Sequence, residues 1–236
     1  MLSVKQQRSC TCVSFSTQGL FSVGLDKVRN DFCLYIWDAQ RALLSKETAP
    51  TQAFASAEAI NSMTFFHQQP NELAVGVGYK WIRVYDVRDP TIHPLLSCPT
   101  KYVYGLSDNP NDSNQMISYS EDCEIILWDR RYAKSNNILE NCLNVGRVSS
   151  DKNRVNAIQE LKFSPDKCNR FAGLSLNGKT RVWDIATLGE QDTALEAIFS
   201  QPKSSRPRHE VASGDHKYAT GLTYVERSFD CQGIII

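Results

Sequence analysis

Two short motifs in this chain of 236 residues contain the residue types of a serine hydrolase. The sequence SSDK at 149–152 matches the S-x-x-K pattern, whose serine is a nucleophile, and SDN at 107–109 matches its S-D-N companion. The two motifs stand in the wrong order, and both lie in predicted loops rather than at the start of a helix. We therefore predict no catalytic residues.

Metal and cofactor sites lack the residue patterns that they require. Zinc sites normally combine a C-x₂₋₄-C pair with a second pair of ligands, whereas Cys10 and Cys12 are one residue apart and have no second pair. The motif GVG at 76–78 begins like a dinucleotide fingerprint, but Trp81 occupies the third glycine position and no helix is predicted after it. The four histidines are scattered along the chain, and none neighbours a cysteine: His67, His93, His209 and His216. We predict neither metal nor cofactor binding.

The composition limits the classes of partner. Lysine plus arginine number 26 and aspartate plus glutamate number 26, so the net charge of zero provides no overall field for nucleic acid or anionic lipid. No run approaches the roughly 18 apolar residues of a membrane span, and the first residues lack the apolar region of a secretory signal. Several of the eight cysteines, such as Cys33, lie in apolar runs, where a thiol behaves as a small hydrophobic group. This placement indicates a reducing compartment rather than a disulfide framework. The sequence predicts an intracellular protein that neither binds nucleic acid nor inserts directly into a membrane.

The elements that would position any functional residue recur along the chain. Each of four segments ends an apolar run with an aromatic residue followed by aspartate, at intervals of 43 to 55 residues. Repeats of roughly 40–45 residues that end in Trp-Asp are typical of the four-stranded blades of a β-propeller. The predicted structural repeat positions are Trp37-Asp38, Tyr85-Asp86, Trp128-Asp129 and Trp183-Asp184.

Each repeat has the same internal order: an apolar strand, a polar turn, a strand rich in small residues, a second turn and the Trp-Asp strand. Alternating residues between turn signals indicate antiparallel strands, so the predicted fold class is all-β, a WD-repeat β-propeller. The predicted blades span about 8–48, 58–98, 101–141 and 154–188, followed by a long loop at 189–216 and the start of a further blade at 217–236.

Four blades and the start of a fifth would leave strand edges unpaired, which natural sheets avoid. We therefore interpret the propeller as incomplete, with blades missing from this chain or supplied by a partner. In the long loop, the basic run formed by Lys203, Arg206 and Arg208 is interpreted as solvated, with a phosphorylation-dependent contact as the alternative.

The turn between the second and third strands of the first blade is unusually charged. Its sequence DKVRND at 26–31 precedes the apolar strand FCLYIWD. Charged side chains can pair across this loop, each exposed pair contributing less than about 1 kcal/mol, so a structural role is favoured over direct binding. The candidate partner contacts are Lys27, Arg29 and Asp31 in this loop, with Tyr79 and Trp81 in the corresponding hairpin of the second blade.

The charged loop and the repeats that follow it resemble the Mio (missing oocyte) family of WD-repeat proteins. The stretch FSVGLDKVRNDFCLYIWD at 21–38 is similar to a family run of the form GLDK-x-R-x-DF ending in IWD. The segments LAVGVGYKWIRVYDVRD, ISYSEDCEIILWDRR and LKFSPDKCNRFAGLSLNGKTRVWDI follow in the family order, so the resemblance covers most of residues 8–186.

The resemblance implies a subunit of the SEA/GATOR assembly, which relays amino-acid sufficiency to the TOR kinase complex at the lysosome or vacuole. In that family the N-terminal propeller is a platform for protein interactions without catalysis, followed by a helical solenoid and a zinc-binding region. This chain reaches GLDK within two dozen residues and ends before a solenoid, so we interpret it as a fragment of such a propeller. The expected partners are other WD-repeat subunits. The expected location is cytoplasmic, at the lysosomal or vacuolar surface through the complex.

Two alternatives stay open at this point. An unrelated WD-repeat adaptor in ubiquitin ligation or trafficking would share the Trp-Asp strands, and its partners would distinguish it. An enzyme that uses the propeller channel would need convergent acids, bases or metal ligands, and the sequence contains no such set. We therefore predict a non-enzymatic scaffold for protein interactions.

Overall fold

A computed structural model describes most of the chain up to residue 185. Regular structure in this part is almost all β, with one short α-helix. The predicted long loop at 189–216 and the predicted further blade at 217–236 lie outside the described residues. The described residues are 8–28, 31–45, 49–56, 58–89, 91, 93–121, 124–132, 143–147, 158–175 and 180–185.

The strands of these residues form four antiparallel sheets, one after another along the chain, and each sheet is a blade. Within a blade the strands are adjacent in the order of the sequence. Blade 1 contains β1 (Cys10–Phe15), β2 (Leu20–Leu25), β3 (Phe32–Asp38), α1 (Ala39–Ser45) and β4 (Gln52–Ser56). Blade 2 contains β5 (Ile60–Phe65), β6 (Glu72–Val77), β7 (Trp81–Asp86) and β8 (Leu96–Pro99). Blade 3 contains β9 (Val103–Asp108), β10 (Gln115–Ser120), β11 (Glu124–Asp129) and β12 (Leu143–Arg147), and blade 4 contains β13 (Ile158–Phe163), β14 (Arg170–Ser175) and β15 (Thr180–Asp184).

Blades 1 and 3 extend past the limits predicted for them. Helix α1 lies between the third and fourth strands of blade 1, so its fourth strand ends at Ser56 and not before residue 48. The fourth strand of blade 3 ends at Arg147 and not before residue 141. The fourth strand carries no Trp-Asp signal, and the segment that leads to it varies in length, so spacing alone could not locate it.

The aromatic residues of the Trp-Asp pairs occupy equivalent places in the four blades. Each pair forms the last two residues of a third strand. Tyr85 packs in the apolar layer between blades 1 and 2, Trp128 in the layer between blades 2 and 3, and Trp183 in the layer between blades 3 and 4. Trp37 is buried with Leu25 in a separate cluster on blade 1. Because side chains alternate across a strand, this shared position gives every blade one large ring on the same face.

The aspartate that follows each ring ends the third strand. Asp86 and Asp129 each accept a hydrogen bond at 2.9 Å from the backbone N–H two residues later, and Asp38 accepts one at 3.0 Å from the backbone N–H three residues later. The bonds at Asp86 and Asp129 start the turns that follow, and the bond at Asp38 caps the N-terminus of helix α1. Asp184 differs, because it accepts a hydrogen bond at 3.1 Å from the Arg170 side chain of the neighbouring strand.

Neighbouring blades pack through their first strands, with β1 against β5, β5 against β9 and β9 against β13. Gly24 on β2 allows blades 1 and 2 to approach closely, since a Cβ there would lie 2.6 Å from Cγ2 of Ile60. Side-by-side antiparallel blades with apolar layers between them are the architecture of a β-propeller. The predicted fold class is confirmed: the protein is an all-β WD-repeat propeller of which four blades are described.

A β-bulge recurs at the second residue of each first strand. In every blade the pairing between the first and second strands skips one residue at this point. Such a bulge leaves the extra residue out of the ladder and changes the direction of its side chain. The bulged residues are Thr11, Asn61, Tyr104 and Gln159.

The antiparallel order gives the blades two distinct ends. The upper edge contains the turns between second and third strands and the entries to the first strands. The lower edge contains the turns between first and second strands and the ends of the third strands. Both names are used in this sense below.

Candidate interaction surface

The described candidate contacts all belong to the upper edge. Lys27 follows β2 and Asp31 precedes β3, while Tyr79 lies in the turn between β6 and β7 and Trp81 begins β7. Arg29 lies outside the described residues. The structure therefore brings residues from two blades to one end of the propeller.

Asp31 is held in the charged loop by a buried arginine that precedes the first strand. The Arg8 side chain is only 3% exposed, and its Nη2 lies 3.4 Å from Oδ2 of Asp31. The same nitrogen donates to the carbonyl of Phe32 at 2.6 Å, and the Tyr35 hydroxyl donates to Oδ1 of Asp31 at 2.9 Å. Burial, with the hydrogen bond to Asp31, raises the pKa of Tyr35. Asp31 thus has a structural role at the entry to β3.

Lys27 has a different environment from Asp31. Its side chain is exposed, as is that of the preceding Asp26. The Asp26 backbone N–H donates to the carbonyl of Ser9 at 3.2 Å, which fixes the start of the loop against the entry to β1. Lys27 is therefore exposed, while the backbone of the residue before it is fixed by a hydrogen bond.

The two aromatic candidates in blade 2 have opposite roles. Gly78 adopts φ 56°, a left-handed conformation that suits glycine and starts the tight turn between β6 and β7. Tyr79 follows it and is 75% exposed. Trp81 is partly buried and packs against the apolar layer between blades 1 and 2. Tyr79 is therefore the more exposed residue of this pair.

Two further tyrosines extend the exposed ring of Tyr79 onto blade 3. The Tyr102 ring centroid lies 5.4 Å from that of Tyr79 and 5.2 Å from that of Tyr104. Tyr104, the bulged residue of blade 3, is 52% exposed. We call Tyr79, Tyr102 and Tyr104 together the tyrosine surface. Sequence analysis missed Tyr102 and Tyr104, although two tyrosines that flank Val103 at the entry to a first strand were a usable signal.

A buried tyrosine supports this surface from below. Tyr119 lies 6.5 Å from Tyr104 between ring centroids, and its hydroxyl donates to the Gln159 carbonyl of blade 4. A Cβ at Gly105 would lie 2.1 Å from the Tyr119 ring, so only glycine lets that ring lie against β9. Burial, followed by the charge of Glu160, raises the pKa of Tyr119, which keeps its hydroxyl protonated as a donor.

Charges of both signs surround the tyrosine surface. Burial raises the pKa of Tyr102, and the neighbouring tyrosine hydroxyls and Asp26 raise it further. Glu121 is exposed on the same edge, and its backbone N–H donates to the Tyr102 carbonyl at 3.0 Å. Lys27 and Lys80 are exposed on the same edge. The surface is therefore aromatic and polar without a field of one sign.

At the lower edge, polar side chains join each blade to the next. The Ser16 hydroxyl donates to the Pro70 carbonyl at 2.6 Å, which joins blades 1 and 2. Blades 2 and 3 are joined by an ion pair between Arg130 and Glu72, whose side chains are only 15% and 16% exposed. The Arg130 guanidinium also lies 4.8 Å from the centroid of the Phe66 ring. These side chains therefore contact other groups of the same chain.

The motifs that resembled a hydrolase have structural roles where they are described. Ser107 is buried on β9. Asp108 accepts hydrogen bonds from the Thr64 hydroxyl at 3.1 Å and from the His67 backbone N–H at 2.8 Å. Asn109 donates to the Cys168 carbonyl at 2.8 Å. The SSDK motif at 149–152 lies outside the described residues, as do the basic run of the long loop, His209 and His216.

The described residues contain neither a metal site nor a membrane-spanning helix. They contain no group of three or more histidine, cysteine, aspartate or glutamate side chains arranged to hold a metal ion. Burial raises the pKa of the Cys12 thiol to about 11, which disfavours the thiolate that a metal would need. No helix in this part of the chain is long and apolar enough to cross a membrane.

The four described sheets define the class of this protein as a WD-repeat β-propeller. Comparison with known proteins identifies particular relatives of this chain. The chain is 28% identical over 229 residues to the GATOR2 complex protein Mio of Drosophila melanogaster, a match that covers 96% of this chain and 24% of that protein. It is 31% identical over 216 residues to SEH-associated protein 4 of Saccharomyces cerevisiae, with 83% of this chain and 20% of that protein covered.

An uncharacterized WD repeat-containing protein of Schizosaccharomyces pombe is 27% identical over 201 residues, with 85% of this chain and 22% of that protein covered. No protein-family model matches the chain. The chain thus spans between a fifth and a quarter of the length of these relatives. The resemblance to the Mio family is confirmed over most of the chain.

Proposed function

We propose that this chain is a non-enzymatic scaffold that works inside a multi-protein complex of the GATOR2/SEA type. The observation that carries this proposal is the alignment of 96% of the chain with a protein named as a GATOR2 complex component. The propeller supports such a role, because rigid sheets hold loops of several blades at one edge in fixed positions. In this role the chain would bind other WD-repeat subunits and relay amino-acid availability to the TOR kinase complex.

Two further expectations accompany this role. The chain would be found at the lysosomal or vacuolar membrane surface through its complex, and it would bind protein rather than nucleic acid. The upper edge is the proposed contact surface, with Lys27, Arg29 and Tyr79 as contact residues. Asp31 would act indirectly, because its pairing with Arg8 anchors the last residue of the charged loop. Trp81 would contribute through packing between blades 1 and 2.

Affinity purification of the tagged chain from its own cells, followed by mass spectrometry, tests the proposal. We expect subunits of a GATOR2/SEA-type complex among the specific partners. Partners from a ubiquitin ligase or a trafficking coat would instead identify an unrelated WD-repeat adaptor. Turnover in a panel of hydrolase substrates would contradict the non-enzymatic assignment.

A double variant locates the contact surface in the same experiment. Replacing Lys27 and Arg29 by alanine should reduce partner recovery while leaving the thermal unfolding temperature unchanged. The matched control replaces Arg88 and Arg131 by alanine, which removes the same charge from side chains that are 67% and 56% exposed at the lower edge. Equal recovery from the Lys27/Arg29 variant and the control would remove the charged loop from the interface.

The relay to TOR needs a cellular readout. Cells that lack the gene for this chain should respond abnormally to withdrawal and return of amino acids, measured by phosphorylation of a TOR substrate. A normal response in these cells, if the tagged chain still co-purifies with the complex in the first experiment, would leave the chain as a complex subunit without a part in the relay.

A further inference from the structure

The tyrosine surface is not explained by folding of the blades. Tyr79 is 75% exposed and Tyr104 is 52% exposed, yet the three rings form one continuous row across two blades. Contiguous exposed aromatic groups commonly mark interaction sites, and tyrosine is enriched in protein interfaces. The row therefore has the character of a recognition surface.

The bulge position shows that blade 3 departs from the repeat at this place. In blade 1 the bulged Thr11 hydroxyl donates to the Ile60 carbonyl, and in blade 2 the bulged Asn61 side chain donates to the Gly78 carbonyl. In blade 3 the same position holds Tyr104, whose ring joins the tyrosine surface. The bulged residue therefore binds a backbone carbonyl in blades 1 and 2, whereas in blade 3 it displays an aromatic ring.

We propose that the tyrosine surface binds a proline-rich segment of a protein partner in the polyproline II conformation. Adjacent rings are inclined by 47° and 62°, so they form open angles against which the flat sides of proline rings can pack. A polyproline II segment has no internal hydrogen bonds, so its carbonyls can accept from tyrosine hydroxyls. Grooves lined by aromatic residues recognise such segments in several unrelated domains.

The charges around the rings favour this neutral ligand over a charged peptide. Asp26 and Glu121 stand on the same edge as Lys27 and Lys80, and all four are exposed. Because two carboxylates and two lysines balance, this edge gives neither a cationic nor an acidic segment a net attraction. A neutral segment recognised by ring packing and hydroxyl donors needs no such attraction. This inference rests on the proposed scaffold function and adds the chemical class of one partner segment.

Fluorescence anisotropy with the full 236-residue chain and labelled decaproline tests this inference. Labelled decapeptides of alternating glycine and serine, and of alternating glycine and lysine, are the neutral and cationic comparisons. We expect decaproline to bind more tightly than either. Tyr79→Ala and Tyr104→Ala should each weaken decaproline binding by at least about fivefold, as for interface residues that dominate affinity.

The matched control is Leu44→Ala, which removes an 87% exposed side chain from helix α1 and should leave decaproline binding unchanged. The thermal unfolding temperature of each variant excludes loss of fold as the cause. Equal binding of decaproline and the glycine-serine peptide would overturn the inference. Tighter binding of the glycine-lysine peptide, or full binding by Tyr79→Ala, would do the same. Co-purification of complex subunits is measured separately, so failure here is distinguishable from failure of the proposed function.

Discussion

Arg130 at the lower edge and the tyrosine surface at the upper edge use their side chains in opposite ways. At the lower edge, Arg130 contacts the Glu72 side chain, and its guanidinium lies over the Phe66 ring of the neighbouring blade. At the upper edge, Tyr79 and Tyr104 turn their rings toward solvent. Residues that join blades must be buried to be effective, whereas residues that recognise a partner must stay exposed until it binds. The Arg130 contacts therefore hold two blades together, whereas the exposed rings of Tyr79 and Tyr104 suit the proposed recognition.

Arg130→Ala should have the largest effect on the free energy of unfolding. The substitution leaves Glu72 without its partner in a largely buried site and removes the contact with the Phe66 ring. We expect a loss of about 2–3 kcal/mol, somewhat below the cost of breaking a fully buried ion pair. Chemical denaturation measures this loss. The control Arg131→Ala removes a 56% exposed lower-edge side chain and should cost less than about 1 kcal/mol. Equal costs for the two variants would break the comparison.

Tyr119→Phe should have an intermediate effect, because this residue stabilises the upper edge from inside. The variant leaves the Gln159 carbonyl without the hydroxyl donor that joins blades 3 and 4. We expect a loss of about 1 kcal/mol by chemical denaturation. Tyr104→Phe removes a hydroxyl from a ring that is 52% exposed and should change the unfolding free energy by less than about 0.5 kcal/mol. A larger cost for Tyr104→Phe than for Tyr119→Phe would mean that the exposed row is structural.

Asp86→Asn should have the smallest effect, and the effect should depend on pH. The Arg88 side-chain hydrogen bonds lower the pKa of Asp86, so the ionised carboxylate stabilises the fold above the unfolded-state pKa of about 3.9. This stabilisation is lost as the pH falls through the lower pKa of the folded state. The denaturation midpoints of the wild type and the variant should therefore differ at pH 7 and converge toward pH 3. A difference that is unchanged at pH 3 would remove the carboxylate as its cause.

Much of the fold was predictable because the repeat signal comes from packing that every blade needs. The aromatic residues at Trp128 and Trp183 fill equivalent layers, so their spacing in the sequence reports the spacing of the blades. The fourth strands were less predictable, because helix α1 and the segment before β12 change the distance from one blade to the next. The β-bulges were invisible, because residues as different as Thr11, Tyr104 and Gln159 occupy the same bulged position.

The candidate site was predictable only in part. Tyr79 was identified because it lies in a turn marked by Gly78, and the structure leaves its ring exposed. Asp31 looked like an exposed loop charge, but Arg8, more than twenty residues earlier in the chain, pairs with it at 3.4 Å. Trp81 looked like a possible contact at a hairpin, but it packs between two blades. Local sequence identifies turns, whereas the exposure of a side chain depends on which distant segments of the chain pack against it.

By itself, the sequence determined the blade repeat, the antiparallel order of the strands and the resemblance to the Mio family, because these depend on local alternation and on residues at regular intervals. Only the tertiary structure decided which aromatic residues stay exposed and which charges are neutralised. Tyr79 and Tyr102 belong to different blades, and their rings meet because β5 and β9 lie side by side. Distances across neighbouring sheets depend on how the blades pack, and the order of residues in one strand carries no record of them.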